Sequence, residues 1–111
     1  MDVRDLSEDV VDVRLAGRLD TLGVDKIELR FTAALVPKGK NAIVDMSGVP
    51  FVTSMGIRMF ISVAKSLQAK QARLALYAPQ ELVSEVFENA SLRQLFPICS
   101  DQAEALTAIQ R

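Results

Sequence analysis

The sequence predicts an α/β fold built on a mainly parallel sheet. Short apolar segments alternate with longer segments of helical periodicity, in the order β-β-α-β-α-β-α-(β)-α. Strands that alternate with helices are typical of βαβ units joined by right-handed crossovers. No repeat, linker or low-complexity segment interrupts the pattern, so we expect one domain over residues 1–111.

The first two strands are expected to form a hairpin. Residues 10–15 alternate between apolar and charged side chains, which is typical of a half-buried strand. Residues 1–6 alternate more weakly, and the polar residues 7–9 suit the connecting turn.

The first helix is expected over residues 21–36. Asp20 or Thr21 can cap its N-terminus. Apolar residues recur at three- and four-residue steps and form one stripe toward the core, namely Val24, Ile27, Phe31 and Leu35.

The rest of the chain continues the alternation. We expect strands over 42–46, 73–78 and 96–99, and helices over 54–69, 79–89 and 102–110. The apolar face of the third helix is predicted to contain Leu82, Val86 and Phe87. Asp101 and Glu104 form a capping box for the last helix.

Composition argues against several classes of function. With 13 Lys+Arg and 14 Asp+Glu, the chain lacks the basic excess of a nucleic-acid or membrane-surface binder. The absence of histidine removes His-based catalysis and His metal ligands, and one cysteine cannot form an internal disulfide or a zinc cluster. No phosphate-binding or dinucleotide-binding glycine pattern is present. Cys99 is interpreted as a small buried apolar residue, and no cofactor or metal is expected.

Nothing in the sequence suggests export or membrane insertion. The N-terminus lacks the apolar segment of a signal peptide, and no run approaches 18 apolar residues. We therefore expect a cytoplasmic protein.

The most informative segment is 45–58, where a buried strand ends and the second helix begins. Ser54 stands at the helix start, where its hydroxyl can cap a free N–H group. A negative group is also favoured there, and a phosphate would add about −2 of charge. Local physics leaves both interpretations of Ser54 open: a helix cap or a modification site.

This segment resembles the signature of STAS domains, especially the bacterial anti-sigma factor antagonists. From Asp45 to Ile57 it reads D-x-S-G-V-x-F-x-T-S-x-G-I, and residues 17–20 resemble the family's Gly-x-Leu-Asp. The order of elements also matches, so the resemblance covers nearly the whole chain. It implies a four- or five-stranded mixed sheet with about four helices, packed mainly on one side.

The resemblance implies regulation through protein–protein binding rather than catalysis. The unphosphorylated form would bind an anti-sigma factor with serine kinase activity, and phosphorylation of Ser54 would release it. A metal-dependent serine phosphatase would restore binding, so ATP and metals would belong to these partners. Thr53 stands where many members have Asp, and Met55 where many have Ser or Thr; Thr53 is the less favoured acceptor.

Two other classes of function compete with this one. A non-phosphorylated STAS subunit or scaffold of a transport or stress-signalling complex would use Ser54 only as a cap. A small enzyme is disfavoured because the sequence lacks the usual catalytic signatures.

A helical wheel of the second helix predicts the partner surface. One face is expected to enter the core, with Ile57, Phe60, Ile61, Ala64 and Leu67. Met55 and Met59 fall nearly opposite and are expected to be exposed and to contact a partner. The expected partner-binding residues are Asp20, Thr53, Ser54, Met55, Gly56, Arg58, Met59 and Ser62.

Gly56 has two interpretations. Alanine would be a better helix former by roughly 1 kcal/mol, so a glycine in the first turn needs another reason. That reason is either access of a kinase to Ser54 or close packing against a neighbouring segment.

Overall fold

The computed structural model describes residues 1–110 and places one five-stranded mixed sheet at their centre. The strands lie in the order β1-β2-β3-β4-β5; β1 is antiparallel to β2, and the other neighbours are parallel. The elements are β1 Asp2–Asp5, β2 Val10–Ala16, α1 Thr21–Leu35, β3 Asn41–Gly48, α2 Ser54–Ala69, β4 Leu74–Tyr77, α3 Glu81–Asn89, β5 Ile98–Cys99 and α4 Gln102–Ile109. The predicted fold class is confirmed; the 3₁₀ turn at Leu92–Gln94 was not predicted.

The main core lies between the sheet and helices α1, α2 and α3. Its centre is Phe60, whose ring centroid lies 5.7 Å from that of Phe31, 6.2 Å from Phe87 and 6.4 Å from Phe96. All three pairs are edge-to-face, the geometry that aromatic quadrupoles favour. Phe60 therefore joins the packing of α1, α3 and the segment that leads into β5.

Helix α4 alone covers the opposite face of the sheet. Ala105 and Ile109 of α4 pack there against apolar residues of the strands, including Ile43 and Ala75. Asp101 caps the helix by accepting a hydrogen bond from Glu104 N–H at 2.8 Å, as predicted. Three helices on one face and one on the other agree with the expected one-sided packing.

A buried carboxylate joins α4 to the second strand. Asp12 is 6 % exposed and accepts hydrogen bonds from Tyr77 Oη at 3.0 and 3.1 Å and from Gln102 Nε2 at 3.0 Å. Burial, followed by the hydrogen bond and charge of Asp12, raises the pKa of Tyr77 above its ordinary value. The phenol therefore stays protonated and acts as a donor to Asp12.

The predicted core face of α2 is only partly correct: Phe60, Ala64 and Leu67 are buried as predicted, but the buried face is rotated toward Met59. Met59, expected on the surface, is 0 % exposed, and Val63 is buried beside it. Ile57 and Ile61, expected in the core, are only half-buried. Apolar side chains occur on both flanks of this helix, so periodicity alone could not tell which flank lies nearer to the sheet.

The apolar face of α3 is also shifted by one position. Leu82 was predicted to face the core but is 52 % exposed, whereas Val83 is buried. Phe87 is buried as predicted, and Val86 is half-buried. Val83 and Phe87 are four residues apart, which puts both on one face of a helix of nine residues.

Candidate functional site

Ser54 lies at the carboxyl edge of the sheet, where two loops meet. Residues 49–53 connect β3 to α2, and residues 17–20 connect β2 to α1. Because β2 and β3 are parallel neighbours, their carboxyl ends lie side by side. The two sequence motifs of the family resemblance are therefore adjacent in space.

Hydrogen bonds join these two loops around Leu19. The Leu19 N–H donates to the Phe51 carbonyl at 2.8 Å. Both the N–H and the hydroxyl of Thr53 donate to the Leu19 carbonyl, each at 3.0 Å. Leu19 and Val52 also form an isolated parallel bridge, and both are buried. The segment just before Ser54 is therefore held by the loop that carries Asp20.

Of the two candidates for the cap of α1, Asp20 and Thr21, the structure shows Asp20 in that role. Its Oδ1 accepts from Gly23 N–H at 2.9 Å, and its Oδ2 lies 3.4 Å from Arg18 Nε. The Gly23 hydrogen bond, with smaller contributions from Arg18, lowers the pKa of Asp20. The Arg18 guanidinium also lies 4.5 Å from the centroid of the Phe51 ring, so Arg18 contacts both loops.

Asp45 shapes the end of β3. Its Oδ1 accepts from Ser47 N–H at 2.9 Å, and its Oδ2 lies 3.3 Å from Arg14 Nε. Burial alone would raise the pKa of Asp45, but the hydrogen bonds from Ser47 and the charge of Arg14 outweigh it and lower the pKa. The first residue of the family motif therefore stays ionised and fixes the backbone at which the loop begins.

The predicted cap role of Ser54 is wrong, because Thr53 is the residue at the cap. Thr53 has extended backbone angles (φ −100°, ψ 177°), and Ser54 is the first helical residue. The Ser54 side chain is exposed, and its hydroxyl makes no hydrogen bond with any other residue of the described range 1–110. The first N–H of α2 bonded to a loop carbonyl is that of Ile57, to Thr53 at 3.1 Å. Ser54 thus presents a free hydroxyl at the positive end of the helix.

Thr53 is less accessible than Ser54. It is half-buried, and its hydroxyl is already used as a donor to the Leu19 carbonyl. The geometry therefore favours Ser54 over Thr53 as a site of modification.

We define the outer face of α2 as its exposed stripe of Ser54, Arg58, Ser62 and Lys65. Met55, Ile57 and Ile61 flank this stripe and are half-buried. Helix α2 contains two cations and no acidic residue. Of the expected partner-binding residues on α2, Ser54, Arg58 and Ser62 are exposed and Met55 is partly so. Met59 and Gly56 are buried and cannot contribute side-chain contacts.

Three residues of this surface were missed by the sequence analysis. Lys65 continues the outer face by two helical turns beyond Arg58, and Ile57 and Ile61 provide its partly exposed apolar flank. The signal that could have found Lys65 is its spacing of 11 residues from Ser54, which returns to the same side of a helix.

Gly56 packs tightly against the joined loops. A Cβ at this position would lie 3.1 Å from Leu19 Cβ, 3.1 Å from Val52 Cγ1 and 3.2 Å from the Leu19 carbonyl oxygen. These short separations favour the packing interpretation of Gly56.

Gly56→Ala is expected to lower the free energy of unfolding by about 1 kcal/mol. Overpacking typically lowers stability by about 1–3 kcal/mol, and the better helix propensity of alanine offsets roughly 1 kcal/mol of this loss. Urea unfolding followed by circular dichroism measures the difference, with Ser62→Ala on the exposed side of the same helix as the control. A Gly56→Ala protein more stable than the original would contradict the packing interpretation.

Residues 1–110 contain no group of three or more His, Cys, Asp or Glu side chains placed to hold a metal ion. Cys99 is buried, and burial, with the nearby charge of Glu104, raises the pKa of its thiol. Within the same range, no helix has the length and apolar character needed to cross a bilayer.

The chain is similar in sequence to a known domain family and to a named bacterial regulator. The family model of the STAS domain matches residues 4–105. BtrV of Bordetella bronchiseptica, a candidate anti-sigma factor antagonist by name, is 30 % identical over 97 residues, 86 % of this chain and 83 % of its own.

Solved structures of the same architecture are also similar. A Thermotoga maritima structure described as a candidate anti-sigma factor antagonist has a TM-score of 0.88 at 18 % identity, covering 99 % of this chain and 94 % of its own. Unphosphorylated SpoIIAA of Bacillus, an anti-sigma factor antagonist, has a TM-score of 0.79 at 22 % identity, covering 98 % and 95 %. At these identities the structural likeness shows the fold.

Proposed function

Because the chain belongs to the STAS domain family, we propose that it is an anti-sigma factor antagonist controlled by phosphorylation of Ser54. BtrV and SpoIIAA carry the name of anti-sigma factor antagonist, which supports this role. The observation that carries the assignment of the site is the free, exposed Ser54 hydroxyl at the start of α2, directly after a loop that Leu19 holds in place.

In the unmodified state, the protein binds an anti-sigma factor that has serine kinase activity. The binding surface is the outer face of α2 with Met55, Ile57 and Ile61 beside it; Asp20 and Thr53 fix the loops at its edge. Exposed polar and charged groups around a partly exposed apolar flank are the composition expected of a regulated interface. The role is regulatory rather than catalytic.

Phosphorylation switches the protein off. The bond between the β,γ-bridging oxygen and the γ-phosphorus of ATP breaks, and the Ser54 Oγ forms a new bond to that phosphorus. ADP leaves, and the hydroxyl proton passes to a base of the kinase. The product carries about −2 of charge where a neutral hydroxyl lay against the partner, and repulsion and desolvation disrupt the complex.

A metal-dependent serine phosphatase hydrolyses the phosphate ester and restores binding. Water attacks phosphorus, inorganic phosphate leaves, and the serine hydroxyl is regenerated. ATP and the metal ions are held by the two partner enzymes, so this chain needs no cofactor of its own.

The test uses ATP and each serine-kinase anti-sigma factor encoded in the same genome. We expect intact-mass measurement to detect one added phosphoryl group on the original protein and on Thr53→Val, and none on Ser54→Ala. The phosphorylated form is expected to lose its affinity for that kinase, while Ser54→Ala binds permanently. Ser54→Ala is also expected to change the free energy of unfolding by less than about 0.5 kcal/mol, because Ser54 is exposed and is not the cap.

Equal affinity of the phosphorylated and unmodified forms would contradict the switch. A stable complex whose Ser54 is never modified would instead indicate the alternative, a non-phosphorylated STAS subunit or scaffold of a transport or stress-signalling complex.

A further inference from the structure

Arg58 is an exposed cation without a partner inside the described chain. It lies one helical turn after Ser54 and makes no hydrogen bond or ion pair with another of residues 1–110. Four other arginines lie within 4.0 Å of a carboxylate, in the pairs Arg4–Asp12, Arg14–Asp45, Arg18–Asp20 and Arg93–Glu88. The Arg58 guanidinium is therefore available to an anion from outside the unmodified chain.

The helix brings Arg58 within reach of a group on Ser54. Residues four apart on a helix have Cβ atoms about 5–6 Å from one another. Long helical side chains lean toward the N-terminus, so Arg58 leans toward Ser54. On a helix, a pair four residues apart is also more favourable when the anion comes first in the chain than when the cation does. A phosphate on Ser54 can accept two N–H bonds from a guanidinium in this position.

The charge of α2 indicates what would bind the outer face before modification. Arg58 and Lys65 are both exposed, no acidic residue lies on the helix, and the free N–H groups of its first turn add positive potential. A partner that covers this surface also covers the cations of Arg58 and Lys65. We therefore expect the partner to place acidic side chains opposite them.

We propose that Arg58 binds the phosphate of phospho-Ser54, and that phosphorylation thereby withdraws the cation that otherwise pairs with an acidic side chain of the partner. This inference rests on the proposed phosphorylation of Ser54. It makes one residue part of both states: Arg58 binds the partner when Ser54 is free, and binds the phosphate when Ser54 is modified.

The consequence is a reversal of charge at one position. Before modification, the first two turns of the outer face carry the positive charge of Arg58. After modification, the phosphate adds a charge of about −2, which Arg58 offsets only in part. The acidic side chain of the partner then loses its counter-ion and faces a net negative surface. Release follows from both effects together.

The pairing is tested without any kinase, on protein into which phosphoserine is incorporated at position 54 during synthesis. ³¹P NMR titration measures the second pKa of the phosphate, which is ordinarily about 6. We expect Arg58→Ala to raise this pKa by about half a unit, because a nearby cation favours the dianion. The phosphate pKa of Arg58→Lys is expected to lie between those of the original protein and Arg58→Ala, because lysine keeps the charge but lacks the planar pair of donors.

Two controls remove the same charge elsewhere. Lys65→Ala alters the outer face two turns further along, and Arg18→Ala alters the neighbouring loop; neither is expected to shift the phosphate pKa. An unchanged pKa in Arg58→Ala, or a shift produced by Arg18→Ala instead, would overturn the pairing.

The partner contact is tested in unmodified protein with the anti-sigma kinase that phosphorylates it. Arg58→Glu is expected to weaken binding roughly tenfold or more, and Lys65→Glu by less. Equal losses for the two variants would overturn the specific role of Arg58. The two proposals can fail separately. If phosphorylation of Ser54 releases the partner but Arg58→Ala leaves the phosphate pKa unchanged, only the pairing with Arg58 is rejected. If Arg58→Ala shifts the phosphate pKa but no kinase phosphorylates Ser54, only the phosphorylation switch is rejected.

Discussion

Gly23→Ala is expected to lower the free energy of unfolding by about 3 kcal/mol, at the upper end of the cost of overpacking. An added Cβ would overlap the carbonyl oxygen of Arg18 and lie 3.0 Å from its carbonyl carbon. These are backbone atoms, which cannot rotate away as a flexible side chain can. Because Leu19 follows directly and holds residues 51–53, a shift of Arg18 also strains the joined loops.

Thermal and urea unfolding measure this effect, with Leu22→Ala as the matched control. Leu22 is the preceding residue in the same helical turn and is 71 % exposed, so its truncation is expected to change stability by less than about 0.5 kcal/mol. A Gly23→Ala protein that unfolds with the original midpoint would show that the loop can move at no cost.

Met59→Lys is expected to prevent folding. Met59 is 0 % exposed in the main core, and an unpaired ammonium there costs several kcal/mol, out of a typical total stability of about 5–15 kcal/mol. Circular dichroism should show loss of helix and of the cooperative thermal transition. The result would distinguish the observed orientation of α2 from the sequence-based one, which placed Met59 on the surface.

Two further variants separate the buried charge from other effects. Met59→Leu keeps the volume and apolar character, and is expected to cost less than about 1.5 kcal/mol. Ser62→Lys introduces the same charge on the outer face and is expected to fold normally. A Met59→Lys protein that melts like Ser62→Lys would contradict the structure of this helix.

Local signals were sufficient to predict most of the elements. The limits of α2 agree with the prediction at both ends, Asp101 caps the helix it was predicted to cap, and Asp20 is one of the two residues predicted as possible caps of α1. These features depend on residue type and short-range spacing, which the sequence displays directly. The family resemblance then added the mixed four- or five-stranded sheet with helices mainly on one side, and the function class with its candidate serine. No periodicity contains this information.

Features that depend on tertiary contacts could not be predicted. By residue type Ser54 is at least as suitable a cap as Thr53. The structure nevertheless has Thr53 at the cap, and its hydroxyl donates to the carbonyl of Leu19, 34 residues away. Which apolar flank of α2 is buried depends on the helices beside it rather than on its own pattern. Gly23 did carry a usable signal, since a glycine in the first turn of a helix costs roughly 1 kcal/mol relative to alanine.

The hydrogen bond between Gln102 and Asp12 constrains the order in which the molecule can be completed. The two residues are 90 positions apart, so this bond cannot form until nearly all of the described chain has been synthesised. Until α4 arrives, the apolar patch around Ile43 and Ala75 has nothing to cover it. A nascent chain that has assembled its strands but not α4 therefore exposes an apolar sheet surface that can aggregate with other chains, and the packing of α4 covers that surface.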